Sequence, residues 1–124
     1  MQKYQRTRAA QKPRILIYDL NERSVLNENY ARLAKWAEPK FVTSAPQEAD
    51  VYGAGAVVIH NYDTRKLRET LVACRQQSVP VVIETSIPDV LRKNFTLDGI
   101  FFERMYFTGT LEETCGKAKE LLGK

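Results

Sequence analysis

The chain has 124 residues, 44% of them hydrophobic, and a formal net charge of +4, so it can bury one core without disulfides or metal and is short enough to be a single domain. Its two cysteines, Cys74 and Cys115, lie far apart in sequence, match neither a metal-ligand spacing nor a redox pair, and are expected to be reduced core residues. No run approaches the roughly 20 apolar residues of a membrane-spanning helix, which argues against a membrane and for a cytoplasmic protein.

The charge is unevenly distributed. Lys3, Arg6, Arg8, Lys12 and Arg14 stand without an acid in the first 14 residues, whereas the remaining 110 hold 14 basic and 15 acidic side chains. Residues 1–13, Gln-rich and poor in apolar groups, read as a flexible basic arm, and residues 14–124 as the folded domain. The five cations are candidate contacts for nucleic-acid phosphates or an acidic partner; the alternative is a solvated leader.

Ile15-Leu16-Ile17-Tyr18 is a continuous apolar run, the pattern of a strand buried on both faces, and it ends in Asp19. Leu26, Tyr30, Leu33 and Ala37 predict a one-sided helix of about four turns, opened by Asn21 or Ser24 and closed by Pro39. Phe41-Val42-Thr43 reads as a short strand, and the following Ser44–Ala49 stretch opens a helix that Gly53 and Gly55 confine to a couple of turns. Ala56–Ile59 is the third strand and ends in His60. Asp63 or Thr64 then caps a helix with Leu67, Leu71 and Cys74 on its buried face.

Val81–Glu84 is the fourth strand, ending in Thr85, and Pro88 opens a helix of one or two turns over residues 87–94. Gly99-Ile100-Phe101-Phe102 reads as the fifth strand, which would put Glu103 and Arg104 at its end. Thr110-Leu111-Glu112-Glu113 has capping-box spacing, and Leu111, Thr114, Ala118 and Leu121 share the face of the last helix. This alternation predicts an α/β, flavodoxin-like three-layer sandwich: a five-stranded parallel sheet of order 2-1-3-4-5 with shortened second and fourth helices. No repeat, second domain or DNA-reading output module is read from the sequence.

The C-terminal strand ends of such a sheet face a ligand crevice, so Asp19, His60, Thr85 and Glu103 form the candidate site. With the elements in this order, the chain resembles the receiver domain of bacterial response regulators over about residues 14–123. That family carries paired acids after strand one, an acceptor Asp ending strand three, Thr or Ser ending strand four, and Lys-Pro ending strand five. Asp19 matches the first acid and Thr85 the hydroxyl. Leu20 replaces the second acid, His60 occupies the acceptor position, and Glu103-Arg104 stands where Lys-Pro is expected.

Phosphoryl transfer needs a carboxylate nucleophile, a divalent cation and a fixed positive charge opposite. One acid in place of three binds a hard cation poorly, and Glu103 inverts the lysine charge unless Arg104 turns inward. Asp63 is the only acid near the missing acceptor; it is either a displaced acceptor or a helix N-cap. The resemblance therefore implies a degenerate, pseudo-receiver crevice.

His60, the single histidine, could join Asp19 and Glu103 in an acid/base or metal set. Against that, no second His or Cys supports a metal and no Gly-rich phosphate loop is present, so no cofactor and no enzymatic activity are expected. Phe102, Arg104, Tyr106 and Phe107 form a candidate interaction surface, with burial of alternate members in the core as the competing reading. Trp36 reads as a core-edge residue. The leading expectation is a phosphorylation-independent receiver-like signalling or regulatory module that binds a protein partner or a second copy of itself. The alternatives are a nucleic-acid-associated transcription regulator using the arm, and a small enzyme or metal-binding protein using His60.

Overall fold

A computed structural model describes residues 12–123 of the chain. Lys3, Arg6 and Arg8 of the basic arm lie outside the described residues. Lys12 donates from Nζ to the Ala34 carbonyl at 2.7 Å, and Arg14 is the first residue of the sheet.

Five parallel strands, β1 (Arg14–Asp19), β2 (Glu38–Val42), β3 (Ala56–His60), β4 (Val81–Glu84) and β5 (Met105–Thr108), pair in the order β2-β1-β3-β4-β5. The helices between and after them are α1 (Glu28–Leu33), α2 (Glu48–Val51), α3 (Leu67–Gln77), α4 (Pro88–Leu97) and α5 (Leu111–Leu121). This is the expected α/β, flavodoxin-like arrangement. The continuous apolar runs take the interior: Ile15–Tyr18, Ala56–Ile59 and Val81–Ile83 are at most 2% exposed, as strands covered on both faces must be. Pro39 sits in β2, an edge strand, where its missing N–H costs no ladder bond to a second neighbour.

Side chains alternate between two cores. Leu16, Tyr18, Val57, Ile59, Val81 and Ile83 meet Val51, Leu67, Leu71, Leu91 and Phe95 from α2, α3 and α4. Ile15, Ile17, Ala56 and Val58 meet Tyr30 and Leu33 of α1 and Cys115 and Ala118 of α5. The period of two then carries Asp19, His60 and Glu84 onto the α1/α5 face at the ends of their strands.

Three expectations are corrected. The first helix is split: a 3-10 turn covers Glu22–Leu26, Asn27 is extended, and its side chain accepts from the Asn29 amide at 2.8 Å to start α1 anew. Leu26 is consequently 83% exposed, while Tyr30, Leu33 and Ala37 are buried. A short polar side chain that can satisfy a free amide outcompetes the helical periodicity here.

The second helix is stunted, as expected, at four residues. The fourth is not shortened: α4 runs for ten residues. Gly99, with φ +72°, follows the Asp98 cap of α4. The Ile100 amide reaches back to the Phe95 carbonyl at 2.9 Å, the return bond of a glycine-ended helix. Gly99–Phe102 therefore closes a helix instead of forming a strand. The fifth strand is Met105–Thr108, in register with β4 through Val81↔Met105 and Glu84↔Thr108. Glu103 and Arg104 precede it, so they lie at the end of the sheet away from the C-terminal strand ends.

Cys74 and Cys115 are both free and buried. Burial pushes the Cys74 thiol up to about 12 and the Cys115 thiol to about 11. Among the described residues, no helix is long and apolar enough to cross a membrane.

Candidate functional site

The parallel register sets the last residues of β1, β3 and β4 side by side. Asp19 is the register partner of His60, and Ile59 that of Ile83, which places Glu84 beside His60 on the far side. His60 bridges the two acids: its Nδ1 lies 2.8 Å from Asp19 Oδ2 and its Nε2 lies 2.9 Å from Glu84 Oε2. A neutral imidazole has a single N–H, so only the imidazolium form donates to both carboxylates at once.

Asp19 is the most enclosed member of this row. Its side chain is 3% exposed, against 16% for His60 and 25% for Glu84. Oδ1 accepts from the Asn21 amide at 2.9 Å and from Asn61 Nδ2 at 3.0 Å. Oδ2 accepts from His60 and, at 3.3 Å, from the Tyr30 hydroxyl. Burial opposes ionisation of this carboxyl, but hydrogen bonds from Asn61, Ser24, Asn21 and His60 outweigh it and hold Asp19 below its ordinary value of 3.8.

Two neighbours complete the enclosure. Tyr30, on α1, sends its hydroxyl to within 3.2 Å of His60 Nδ1 as well as to Asp19. Burial first, and then the Asp19 charge, push its phenol far above the ordinary range, so it stays a donor. Asn61 follows β3 with φ 52°, in the left-handed region. Asn adopts that region more readily than most residues, and the turn lets its amide reach Asp19 while its carbonyl takes the Leu20 amide at 2.8 Å.

The expected site is only partly assembled. Asp19 and His60 come together. Thr85 is buried, but its hydroxyl accepts from the Ile87 amide at 3.0 Å and lies beside the Tyr62 phenol, on the face opposite the row. Glu103 is exposed in the turn before β5, so it cannot join His60. β5 ends instead in Thr108, whose hydroxyl pairs with that of Thr114. Asp63 is no displaced acceptor: it caps the 3-10 turn Thr64–Lys66 through the Arg65 amide at 3.0 Å and pairs with the Arg65 guanidinium at 3.1 Å. Leu20 is 49% exposed.

Glu84, Tyr30 and Asn61 are the members that sequence reasoning missed. Glu84 had a signal: it is the single charge in an otherwise apolar strand, on the same parity as Val82. Tyr30 was legible as core, though the sequence does not show where its hydroxyl points.

The candidate interaction surface also changes. Phe102 is 7% exposed and belongs to the core. Arg104 reaches the Ser78 carbonyl at the far end of the sheet. Tyr106 and Phe107 remain half-buried, and Phe107 stacks on Phe101. The Arg92 guanidinium lies 5.3 Å from the Phe101 centroid and 5.2 Å from that of Phe107, and Lys117 Nζ is 4.5 Å over Tyr106. These side chains line an open cleft of about 440 Å³.

Both imidazole nitrogens and both Asp19 oxygens already have partners. Among the described residues, no group of three or more His, Cys, Asp or Glu is disposed to hold a metal ion. What the row does is join three strands and the first helix through charge-assisted hydrogen bonds. No protein-family model, curated protein or solved structure matches the chain.

Proposed function

We propose that this chain is a receiver-like regulatory module that works without phosphorylation and acts by binding a protein partner. The observation that carries this reading is the clamp on His60: the acceptor position holds an imidazole fixed between Asp19 and Glu84. An added phosphoryl group would meet the Asp19 and Glu84 carboxylates there, and β5 ends in the uncharged Thr108. Such a crevice favours one static arrangement of its loops over a phosphate-driven change. Recognition then falls to the surface, where the cleft of Arg92, Phe101, Tyr106, Phe107 and Lys117 combines aromatic faces with cations, residue types enriched at interface centres.

The test is incubation of the full chain with acetyl phosphate, and separately with beryllofluoride, each with Mg²⁺. The expected result is no mass increase and unchanged amide spectra around Asp19, His60 and Glu84. A one-phosphate mass gain, or broad amide shifts with beryllofluoride, would sink the proposal.

A further inference from the structure

We infer that the α1/α5 face is a homodimer surface, in which α5 of a second copy lies antiparallel along α5. The inference rests on the groove between these two helices and does not depend on the crevice. That groove holds about 210 Å³, and Glu112, Cys115, Gly116 and Lys119 form its α5 wall. These four share one helical face by their spacing.

Read along the helix, the wall runs acid, small, small, base. A two-fold axis between positions 115 and 116 sets Glu112 of each copy opposite the second copy's Lys119, at both ends of the contact, and Cys115 against the second copy's Gly116. This is the self-complementarity that a two-fold interface demands. The antiparallel arrangement also opposes the two helix dipoles, and their ends attract.

Gly116 supplies an independent observation. A Cβ built on it meets nothing within 4 Å, so packing within the chain does not require glycine there. Glycine is unfavourable in a helix interior compared with alanine. A close crossing of two helix backbones at that point does require a residue without a side chain.

The opposite wall supplies what a second copy would cover. Trp36, the only tryptophan of the chain, is 40% exposed, and Lys119 Nζ stands 4.1 Å from its ring centroid. Leu33 forms the apolar floor. The groove is smaller than the roughly 300–1,000 Å³ of small-molecule pockets. Arg32, which pairs with Glu28, also lines the α1 side of the groove, and the Glu112 and Lys119 charges stand at the two ends of its α5 wall.

Sedimentation velocity on the full chain from about 1 μM to about 1 mM spans the affinities of weak and moderate dimers. The expected result is a concentration-dependent monomer–dimer equilibrium, with a blue shift of Trp36 emission as dimer forms. Glu112→Lys and Lys119→Glu should each weaken association by about tenfold or more, because symmetry turns one substitution into two like-charge contacts. The double variant restores both pairs and should return to within about threefold of the parent, a difference of less than 1 kcal/mol. Gly116→Leu should abolish the dimer while the monomer keeps its far-ultraviolet circular dichroism. If that variant does not fold, the charge-swap set decides alone. A chain that stays monomeric throughout, a dimer indifferent to the single reversals, or a double variant as weak as the singles overturns the inference.

Discussion

His60 Nδ1 and Asp19 Oδ2 stand 2.8 Å apart although 41 residues separate them in sequence. The contact is a product of strand register: β1 and β3 pair in parallel with Asp19 opposite His60. A slip of one residue would turn one of the two side chains to the other face of the sheet. The same register carries Glu84 to the other ring nitrogen, so the strands β1, β3 and β4 end in a single line of charge.

Removal of the central imidazole should be felt most by Asp19, the deepest member of the line. His60→Ala leaves that carboxylate with its Asn21, Asn61 and Tyr30 donors but without its imidazole partner, and should cost about 2–3 kcal/mol. Glu84→Gln should cost about 1 kcal/mol or less, because position 84 is partly solvated and the amide oxygen still accepts from Nε2. Urea midpoints at constant slope give both values. Equal losses for the two variants would contradict the gradient of burial along the row.

Acid should destabilise the fold through Asp19. Its pKa in the folded chain lies below the ordinary 3.8, so the unfolded chain binds the proton more readily. The Asp19 contribution to stability is therefore fully present above the unfolded value and is lost as pH falls through the lowered folded value. Urea titrations between about pH 6 and pH 2 should show the parent losing more stability than Asp19→Asn, whose side chain does not ionise. Parallel pH profiles for the two proteins would show that Asp19 is not the responsible group.

Two buried tyrosines should respond in opposite directions. Tyr30→Phe removes the hydroxyl that donates to Asp19 and should cost about 1 kcal/mol. The Tyr18 hydroxyl is buried without a hydrogen-bond partner among the described residues, so Tyr18→Phe should be neutral or stabilise by up to about 1 kcal/mol. Thermal melts of the two variants, run side by side, read the difference directly.

The two thiols should be slow to react. With Cys74 raised to about 12 and Cys115 to about 11, both by burial, little thiolate exists near neutral pH, and the thiolate is the reactive form. Alkylation at pH 8 followed by mass spectrometry should leave both residues largely unmodified in the folded chain and label both in denaturant. Rapid labelling of Cys115 alone would indicate that α5 opens away from α1.

Much of the architecture was legible because it rests on patterns that need no neighbour. Ile15–Tyr18, Ala56–Ile59 and Val81–Ile83 announce doubly covered strands, and the turn chemistry between them allows parallel crossovers. The errors fell where local signals compete. Asn27 breaks a periodic stripe by capping a helix, and Gly99 closes α4 where its position before Ile100-Phe101-Phe102 suggests the start of a strand. That second misreading moved the fifth strand by six residues and carried Glu103 into a site it does not share. The site itself was half legible: Asp19 and His60 end apolar runs, whereas Glu84 was passed over for Thr85, the residue that fits the receiver pattern.

Composition and periodicity alone determined that the described residues form an α/β fold with a parallel sheet, because burial of apolar runs is a property that each segment carries with it. They also determined that an acid and a histidine terminate adjacent strands. Only the tertiary structure decided that Glu84 completes the row, that Tyr30 and Asn61 close it, and that Asp63 and Glu103 stand apart. Those outcomes depend on strand register, on which face a side chain takes and on where β5 begins. Each is set by hydrogen bonds between segments distant in sequence, and no single segment holds that information.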